Sequence, residues 1–362
     1  LLCLDFFCFG AGAFPPRRRA QEECAADFTI TGENLFYMII LKDMNDGYYR
    51  RINLAGLSVE TCTDNSFVNI RDFLDKFADD NPDQGENQEL KILFAKGNRK
   101  IELSSGWNSL SIIGDDIDDL HNPFNLIGIA QALFRFAAIQ LAPKGIFLLH
   151  GSTAVLDDKA ICFGDDGSST AKTLSSLEVA LVSKHYVADE FCFFNSQTKE
   201  VSGYRFIPIH IRPVVKEHLE KCHGFSSPKS YCRKTLAGEF VEQDKLFTTI
   251  SGKLKMLAYT HFSEKDPEIQ KLSIQEATKA FGFCITSHVA KLLHPNFDRM
   301  RFSSMTDTDD VKIINEELVS EILAKITNGN KMPPGIFEEI PSYRLIVSQP
   351  CQIIDLLRKG TD

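Results

Sequence analysis

Residues 146–195 constrain the fold of this chain more than any other part of its sequence. Two apolar runs, Ile146–Leu149 and Ala160–Phe163, indicate two strands with a turn between them. A loop rich in Gly and Ser follows, and apolar residues then recur at helical spacing over Lys172–Ser183. A last apolar strand is predicted over 186–194. This alternation of strands and a helix predicts an α/β core, within a chain that is α+β overall.

The loop before the predicted helix has the composition of a phosphate-binding loop. Its glycines permit backbone conformations that a side chain would forbid. It ends at a helix N-terminus, where free N–H groups and the positive end of the helix dipole favour phosphate. Lys172 would reach the terminal phosphates, and Thr173 would ligate Mg²⁺. The residues expected to bind ATP or a related nucleoside triphosphate are Gly164, Gly167, Ser168, Ser169, Thr170, Ala171, Lys172 and Thr173.

The loop departs from the usual pattern G-x-x-x-x-G-K-[ST]. Counting back from Lys172 places Ala171 at the second glycine and Asp166 at the first. A methyl group and a negative charge are both unfavourable beside polyphosphate, so an ordinary polar loop is the alternative. The order of Gly-rich loop, Lys-Thr, amphipathic helix and acidic strand favours nucleotide binding.

Asp189 and Glu190 interrupt the apolar strand that follows the helix. Buried carboxylates need partners or a metal ion. Strand alternation sends the two side chains to opposite sides unless the strand ends or bends there, so one could bind Mg²⁺ and the other face the substrate. A strand end with two solvated acids is the alternative. His150, at the end of the first apolar run, could orient an active-site carboxylate or be a structural group.

These residues resemble the HPr(Ser) kinase and phosphoenolpyruvate carboxykinase-like group of P-loop proteins. The resemblance covers roughly residues 145–212, with a weaker similarity at the C-terminus. It is carried by the strand His150-Gly151-Ser152, the loop ending in Lys-Thr, the helix, Val187-Ala188-Asp189-Glu190, and the segment Pro208 to Pro213. It implies an HPr kinase-like P-loop nucleotide-binding core and an ATP-dependent kinase that phosphorylates a hydroxyl.

The resemblance also implies roles for individual residues. Asp189 resembles the base that deprotonates the acceptor, His150 the histidine near it, and Thr173 and Glu190 the Mg²⁺ ligands. The acceptor stays open between a Ser of a protein or peptide and a small molecule, and the family often forms homo-oligomers. Lys172 lies eight positions after Gly164 (172 − 164), against six in the family's loops. A non-catalytic nucleotide-binding module, acting in partner recognition or regulation, is therefore the alternative function.

Composition excludes some classes of protein. The net charge of −9 argues against broad nucleic-acid binding. The ten cysteines are scattered without a C-x-x-C pair, which favours a reducing cytoplasm over a disulfide framework. Cys222-His223 with Cys232 is a poor zinc candidate, because no fourth ligand stands at a usual spacing. The apolar segment 124–141 contains Gln131 and Arg135 and predicts a core helix, so no membrane association is expected.

Three regions are predicted along the chain. Residues 1–37 are expected to be a non-native or disordered extension, because their apolar block precedes the arginines, which is the wrong order for a secretory signal. Residues 38–122 are predicted to form a smaller α+β domain, and residues 123–362 the HPr kinase-like domain. The polar stretch 214–242 favours a solvated surface loop over a cation cluster for phosphates. The other predicted elements are strands at Met38–Lys42, Tyr48–Leu54, Leu90–Ala95 and Ser109–Ile113, helices at Ile70–Phe77, Ser273–Leu293 and Val311–Ile326, and a final strand and helix.

Overall fold

The computed structural model describes residues 47–78, 90–167, 171–226, 232–235, 238–249, 251–293, 316–327 and 336–360. Across these ranges the protein is of mixed α/β class, with helices and three β-sheets. The predicted extension 1–37 and the predicted strand Met38–Lys42 lie outside the described residues.

The first sheet has five strands and one packed helix. Its order is β1-β2-β3-β5-β4, with parallel pairing at β2–β3 and β3–β5. The predicted strands at 48–54 and 109–113 are confirmed, whereas β2 and β4 were not predicted. The elements are β1 Tyr48–Leu54, β2 Leu57–Thr63, α1 Val68–Asp75, β3 Lys91–Ala95, β4 Lys100–Leu103 and β5 Ser109–Ile113.

A nine-stranded sheet and a three-stranded sheet follow along the chain. The strands are β6 Ile146–Leu156, β7 Lys159–Gly164, β8 His185–Ala188, β9 Phe191–Asn195, β10 Glu200–Ser202, β11 Ile209–Ile211, β12 Cys232–Thr235, β13 Gly238–Val241, β14 Thr248–Thr249, β15 Gly252–Phe262, β16 Glu268–Lys271 and β17 Ser342–Val347. The large sheet has the order β14-β8-β6-β9-β10-β15-β17-β16, and β7 pairs with both β6 and β15. The small sheet is antiparallel, in the order β11-β13-β12.

Helices cover both faces of the large sheet. They are α2 Pro123–Leu141, α3 Lys172–Ser183, α4 Pro213–His223, α5 Ile274–Leu293, α6 Glu316–Ile326, α7 Ile336–Glu339 and α8 Gln352–Gly360. Along β7, Ile161 and Phe163 join a hydrophobic cluster with α3 and α8, whereas Ala160 and Cys162 join a second cluster with α2 and α5. Because successive side chains of a strand point to opposite faces, β7 is buried on both sides, as in α/β proteins.

α2 is a core helix, as the sequence predicts. Among the described residues, the segment Pro123–Lys144 is the one helical stretch that is long and apolar enough to cross a membrane. However, 78% of its most apolar window is buried inside the protein. The helix begins where the Asn122 side chain accepts a hydrogen bond from the Phe124 N–H, with Pro123 in the first turn.

β6 is one continuous strand over Ile146–Leu156, and the predicted order of strand, turn and strand is confirmed. The chain turns at Asp157-Asp158, where both residues have positive φ. Gly151 pairs with Gly164 across β6 and β7. A Cβ on Gly151 would lie 2.8 Å from the carbonyl oxygen of Phe163, so the glycine serves close approach of two strands.

The polar stretch 214–242 was predicted to be a solvated surface loop. That prediction is wrong for its first part, which is helical. The stretch begins with the helix α4, which has Pro213 in its first turn and ends at Gly224 with φ of 59°. Two lysines of α4 have acidic partners: Lys216 Nζ lies 2.6 Å from Glu239 Oε1, and Lys221 Nζ lies 2.5 Å from Glu217 Oε1. The charges of these two lysines are therefore offset by neighbouring acids.

Substitution of Gly151 by alanine should destabilise the protein, because its Cβ would overlap the β7 backbone and Cys162. We expect the free energy of unfolding to fall by about 1–3 kcal/mol in urea denaturation. Gly106→Ala is the matched control, because its Cβ would meet nothing closer than 3.7 Å. Equal stability of the two variants would contradict the close packing of β6 and β7.

Candidate functional site

A buried carboxylate, that of Asp189, joins three elements at the end of β8. Its Oδ1 accepts hydrogen bonds from Ser152 Oγ on β6 and from Thr173 Oγ1 on α3, both at 2.9 Å. Its Oδ2 accepts from the backbone N–H of His210 in β11 at 3.2 Å. Asp189 is only 5% exposed. The sequence predicted that Asp189 and Thr173 share a site, and the structure brings them together.

A network of hydroxyl groups supports the Asp189 carboxylate from the sheet side. Ser152 Oγ lies 2.6 Å from Tyr186 Oη and also contacts Ser176 Oγ. Ser152 donates its single proton to Asp189, so Tyr186 donates to Ser152. Ser176 Oγ donates to the Thr173 carbonyl oxygen at 3.0 Å. The network therefore fixes the start of α3 against the strand that carries Asp189.

The Asp189 carboxyl group has a pKa suited to proton transfer near neutral pH. Burial, and then the negative charge of Glu190, raise its pKa to about 6. Hydrogen bonds from Thr173, Ser152 and the His210 N–H oppose this rise. A carboxylate with a pKa close to the working pH can accept a proton and later release it, as a general base does.

Two described residues between β7 and α3, Gly167 and Ala171, have positive φ. Gly167 has φ of 87°, and its N–H donates to Asp165 Oδ1 at 2.9 Å. Ala171, in place of the usual glycine, has φ of 58° and ψ of 36°, the left-handed conformation that glycine favours. Gly164 instead ends β7, where it packs on Tyr259 and Cys284. The predicted ligands Ser168, Ser169 and Thr170 lie outside the described residues.

Lys172 is paired with an acid of its own loop. Its Nζ lies 3.1 Å from Asp165 Oδ2. Burial alone would raise the pKa of Asp165, but the hydrogen bond from His150 and the positive charge of Lys172 hold that pKa well below its usual range. The second loop acid, Asp166, has its Oδ2 3.4 Å from Nε2 of His261. Both acids of the loop are therefore held by side chains of the core.

His150 lies beside Asp165 and not beside Asp189, where the resemblance had placed it. Its Nδ1 is 3.2 Å from Asp165 Oδ2 and 3.3 Å from Ser287 Oγ. Burial and then the charge of Lys172 lower the pKa of His150 to about 4, although Asp165 opposes this. The imidazole is neutral at pH 7, so the contact is a hydrogen bond from Nδ1–H to the carboxylate. The ionic partner of Asp165 is Lys172.

Glu190 contacts α2 whereas Asp189 contacts α3, and both residues lie in the bend between β8 and β9, where strand alternation does not apply. Glu190 has φ of 62°, and its Oε2 accepts from Gln131 Nε2 at 3.1 Å. Gln131 Oε1 in turn accepts from Arg135 Nη2, which also lies 3.0 Å from His288 Nδ1. Thr173 and Glu190 were expected to hold Mg²⁺ together, but their side chains have different partners. The Thr173 hydroxyl donates to Asp189, whereas the Glu190 carboxylate accepts from Gln131 on α2.

Sequence reasoning missed several residues around the site. Ser152 belongs to the His-Gly-Ser strand, but no role was given to its hydroxyl. Asp165 directly follows a buried strand, and a carboxylate at such a position needs a partner. Its place in the sequence could therefore have marked it as a site residue. Arg135 and His288 lie on core helices far from the loop in sequence, so no local pattern could have joined them to it.

Comparison of the sequence with protein-family models and with curated proteins gave no match. The chemistry of the site is therefore inferred from the residues of this chain alone.

Replacing Asp189 by Asn should change the pH dependence of stability. The pKa of Asp189 is raised in the folded state, so its contribution is fully present below pH 4 and is lost as the pH rises to about 6. Relative to Asp189→Asn, we expect the wild type to lose about 2 kcal/mol between pH 4 and pH 7.5, from 1.36 kcal/mol per pKa unit. Urea unfolding of both proteins at the two pH values measures this. A constant difference, or one of opposite sign, would contradict the raised pKa.

Proposed function

We propose that this chain is an ATP-dependent kinase with an HPr kinase-like P-loop core, which phosphorylates a hydroxyl of a protein, peptide or small molecule. The observation that carries the proposal is the hydrogen bond between Thr173, in the first turn of α3, and the buried Asp189. A Lys-Thr pair opening a helix beside a strand-end carboxylate is the arrangement that phosphoryl transfer uses. We place the protein in the cytoplasm, since Cys62, Cys162, Cys192, Cys222, Cys284 and Cys351 are free thiols.

The residues around the start of α3 fit a polyphosphate. Ala171, the residue before the helix, has no side chain that could cap the N–H groups of the first turn. Lys172 supplies a cation at the same place. The charge of Asp165 opposes an anion, but Lys172 and the loop amide of Gly167 already offset it. A bound nucleoside triphosphate would supply the phosphoryl group, and Mg²⁺ would offset its charge.

The described side chains have separate tasks in this proposal. Lys172 would exchange the Asp165 carboxylate for phosphate oxygens. Thr173 would offer its hydroxyl oxygen to Mg²⁺ while continuing to donate its proton to Asp189. Asp189 would take the proton of the acceptor hydroxyl, a role that its pKa of about 6 supports. Glu190 would be a second Mg²⁺ ligand only after releasing Gln131.

A second candidate function is a nucleotide-binding module without phosphoryl transfer, used in partner recognition or regulation. The ion pair between Lys172 and Asp165 favours it, because the pKa of Asp165 is low enough to keep that acid charged at every physiological pH. The lysine is then committed to a partner that a catalytic loop would not contain. The two functions share nucleotide binding and differ in transfer, so separate experiments address them.

Nucleotide binding should depend on Lys172. In isothermal titration calorimetry with ATP and Mg²⁺, Lys172→Ala should weaken affinity about 10- to 100-fold, because a charge-assisted hydrogen bond is lost. Asp165→Asn should strengthen binding, because it removes the competing carboxylate. Lys265→Ala, in the exposed turn before β16, is the control. Unchanged affinity in a folded Lys172→Ala variant would sink the nucleotide assignment.

Transfer should depend on Asp189 while binding should not. Asp189→Asn keeps the shape of the side chain but removes the proton acceptor, so it should bind nucleotide nearly as the wild type and lose transfer. Glu190→Gln should raise the Mg²⁺ requirement, because a charged ligand is lost. Mass spectrometry of candidate acceptors incubated with ATP and Mg²⁺ gives the readout. Transfer by Asp189→Asn at the wild-type rate would show that the base lies elsewhere.

A further inference from the structure

A second polar cluster lies on the other part of α3, away from the loop. Glu178 is 0% exposed, although it carries a carboxylate. Its Oε1 lies 2.7 Å from Nε2 of His218, and its Oε1 and Oε2 each lie 3.0 Å from Nε2 of His223. Both histidines belong to α4. The Nε2 atoms of both imidazoles therefore contact the same buried carboxylate, between α3 and α4.

We propose that Glu178, His218 and His223 form a binding site for a divalent transition metal of the zinc class. Their three ligand atoms lie within 4.8 Å of one another. Two imidazole nitrogens and one carboxylate oxygen are a zinc donor set that leaves a fourth position for water or a ligand. Zinc bonds of about 2.0–2.1 Å in a tetrahedron place donor atoms about 3.3 Å apart. The histidines therefore need to withdraw from Glu178 by only a fraction of an ångström.

The donor atoms of the cluster and the thiol beside it favour zinc over Mg²⁺. Cys222 Sγ lies 3.6 Å from Nδ1 of His218, so the far nitrogen of that imidazole has a partner of its own. Zinc-binding histidines commonly have such a partner, which fixes the ring orientation. Nitrogen and sulfur donors suit zinc, whereas Mg²⁺ prefers oxygen.

The metal would join two helices that lead to the candidate nucleotide site. α3 begins at Lys172, and α4 follows β11, whose His210 N–H bonds Asp189. Binding would therefore brace α3 against α4 and stabilise the folded state. The proposal does not depend on nucleotide binding, since no residue of the cluster touches Asp189 or Lys172 through a described hydrogen bond or ion pair.

The test is a zinc titration of the metal-stripped full-length chain against a chromophoric chelator. We expect one high-affinity equivalent that both Glu178→Gln and His223→Ala weaken about 100-fold or more. His121→Ala is the matched control, because His121 is exposed and lies outside the cluster. Zinc should raise the melting temperature of the wild type and of the control but not of the two variants. Bound Co²⁺ should give the absorption of a tetrahedral site only when all three ligands are present.

Zinc affinity equal in the wild type, Glu178→Gln and His223→Ala would overturn the proposal, and so would a wild type that binds neither zinc nor cobalt. The cluster would then be a buried carboxylate compensated by two histidines alone. The comparison of zinc affinity between the wild type and the two variants is decisive, because all three proteins share exposed cysteines that can bind zinc elsewhere. If Glu178→Gln fails to fold, His223→Ala still decides the matter, because the His223 side chain is 24% exposed and ends its helix.

Discussion

A carboxylate removed from water costs free energy unless donors surround it, and Asp189 satisfies this condition with donors from three elements. Ser152 comes from β6, Thr173 from the first turn of α3, and the backbone N–H of His210 from β11. The same contacts that stabilise the charge therefore fix where α3 begins relative to the sheet. Burial and Glu190 still raise the pKa of this carboxyl to about 6, so the group that fixes the start of α3 can also change its protonation state near neutral pH.

The described residues between β7 and α3 show how the fold accommodates the departures of this segment from the usual P-loop pattern. Ala171 adopts the left-handed conformation expected of glycine, so the methyl group does not prevent the turn. Asp165 adds a negative charge, but Lys172 and His150 hold it from two sides. In this arrangement Lys172 must break its ion pair with Asp165 before it can bind a phosphate.

Elements with strong local patterns could be predicted from the sequence, and contacts between distant elements could not. The helix at Lys172–Ser183 was predicted to the residue because its apolar spacing and the preceding loop agree. The packing role of Gly151 could not be predicted, because a single sequence does not reveal the close approach of β6 and β7 that this glycine permits. His150 was assigned to Asp189, but the continuous strand β6 brings it to Asp165. The histidines of α4 were taken as surface residues, since nothing local shows that Glu178 lies buried against them.

The most direct test of the central claim is a crystal structure of the chain with a non-hydrolysable ATP analogue and Mn²⁺, with the metal located by its anomalous scattering. The claim is that the start of α3 holds a nucleoside triphosphate and its metal ion. It predicts an anomalous peak about 2.1–2.2 Å from Thr173 Oγ1, phosphates at the N-terminus of α3, and Lys172 moved from Asp165 to a phosphate oxygen. An analogue bound elsewhere, or a Lys172–Asp165 pair that persists with no metal at Thr173, would contradict the account.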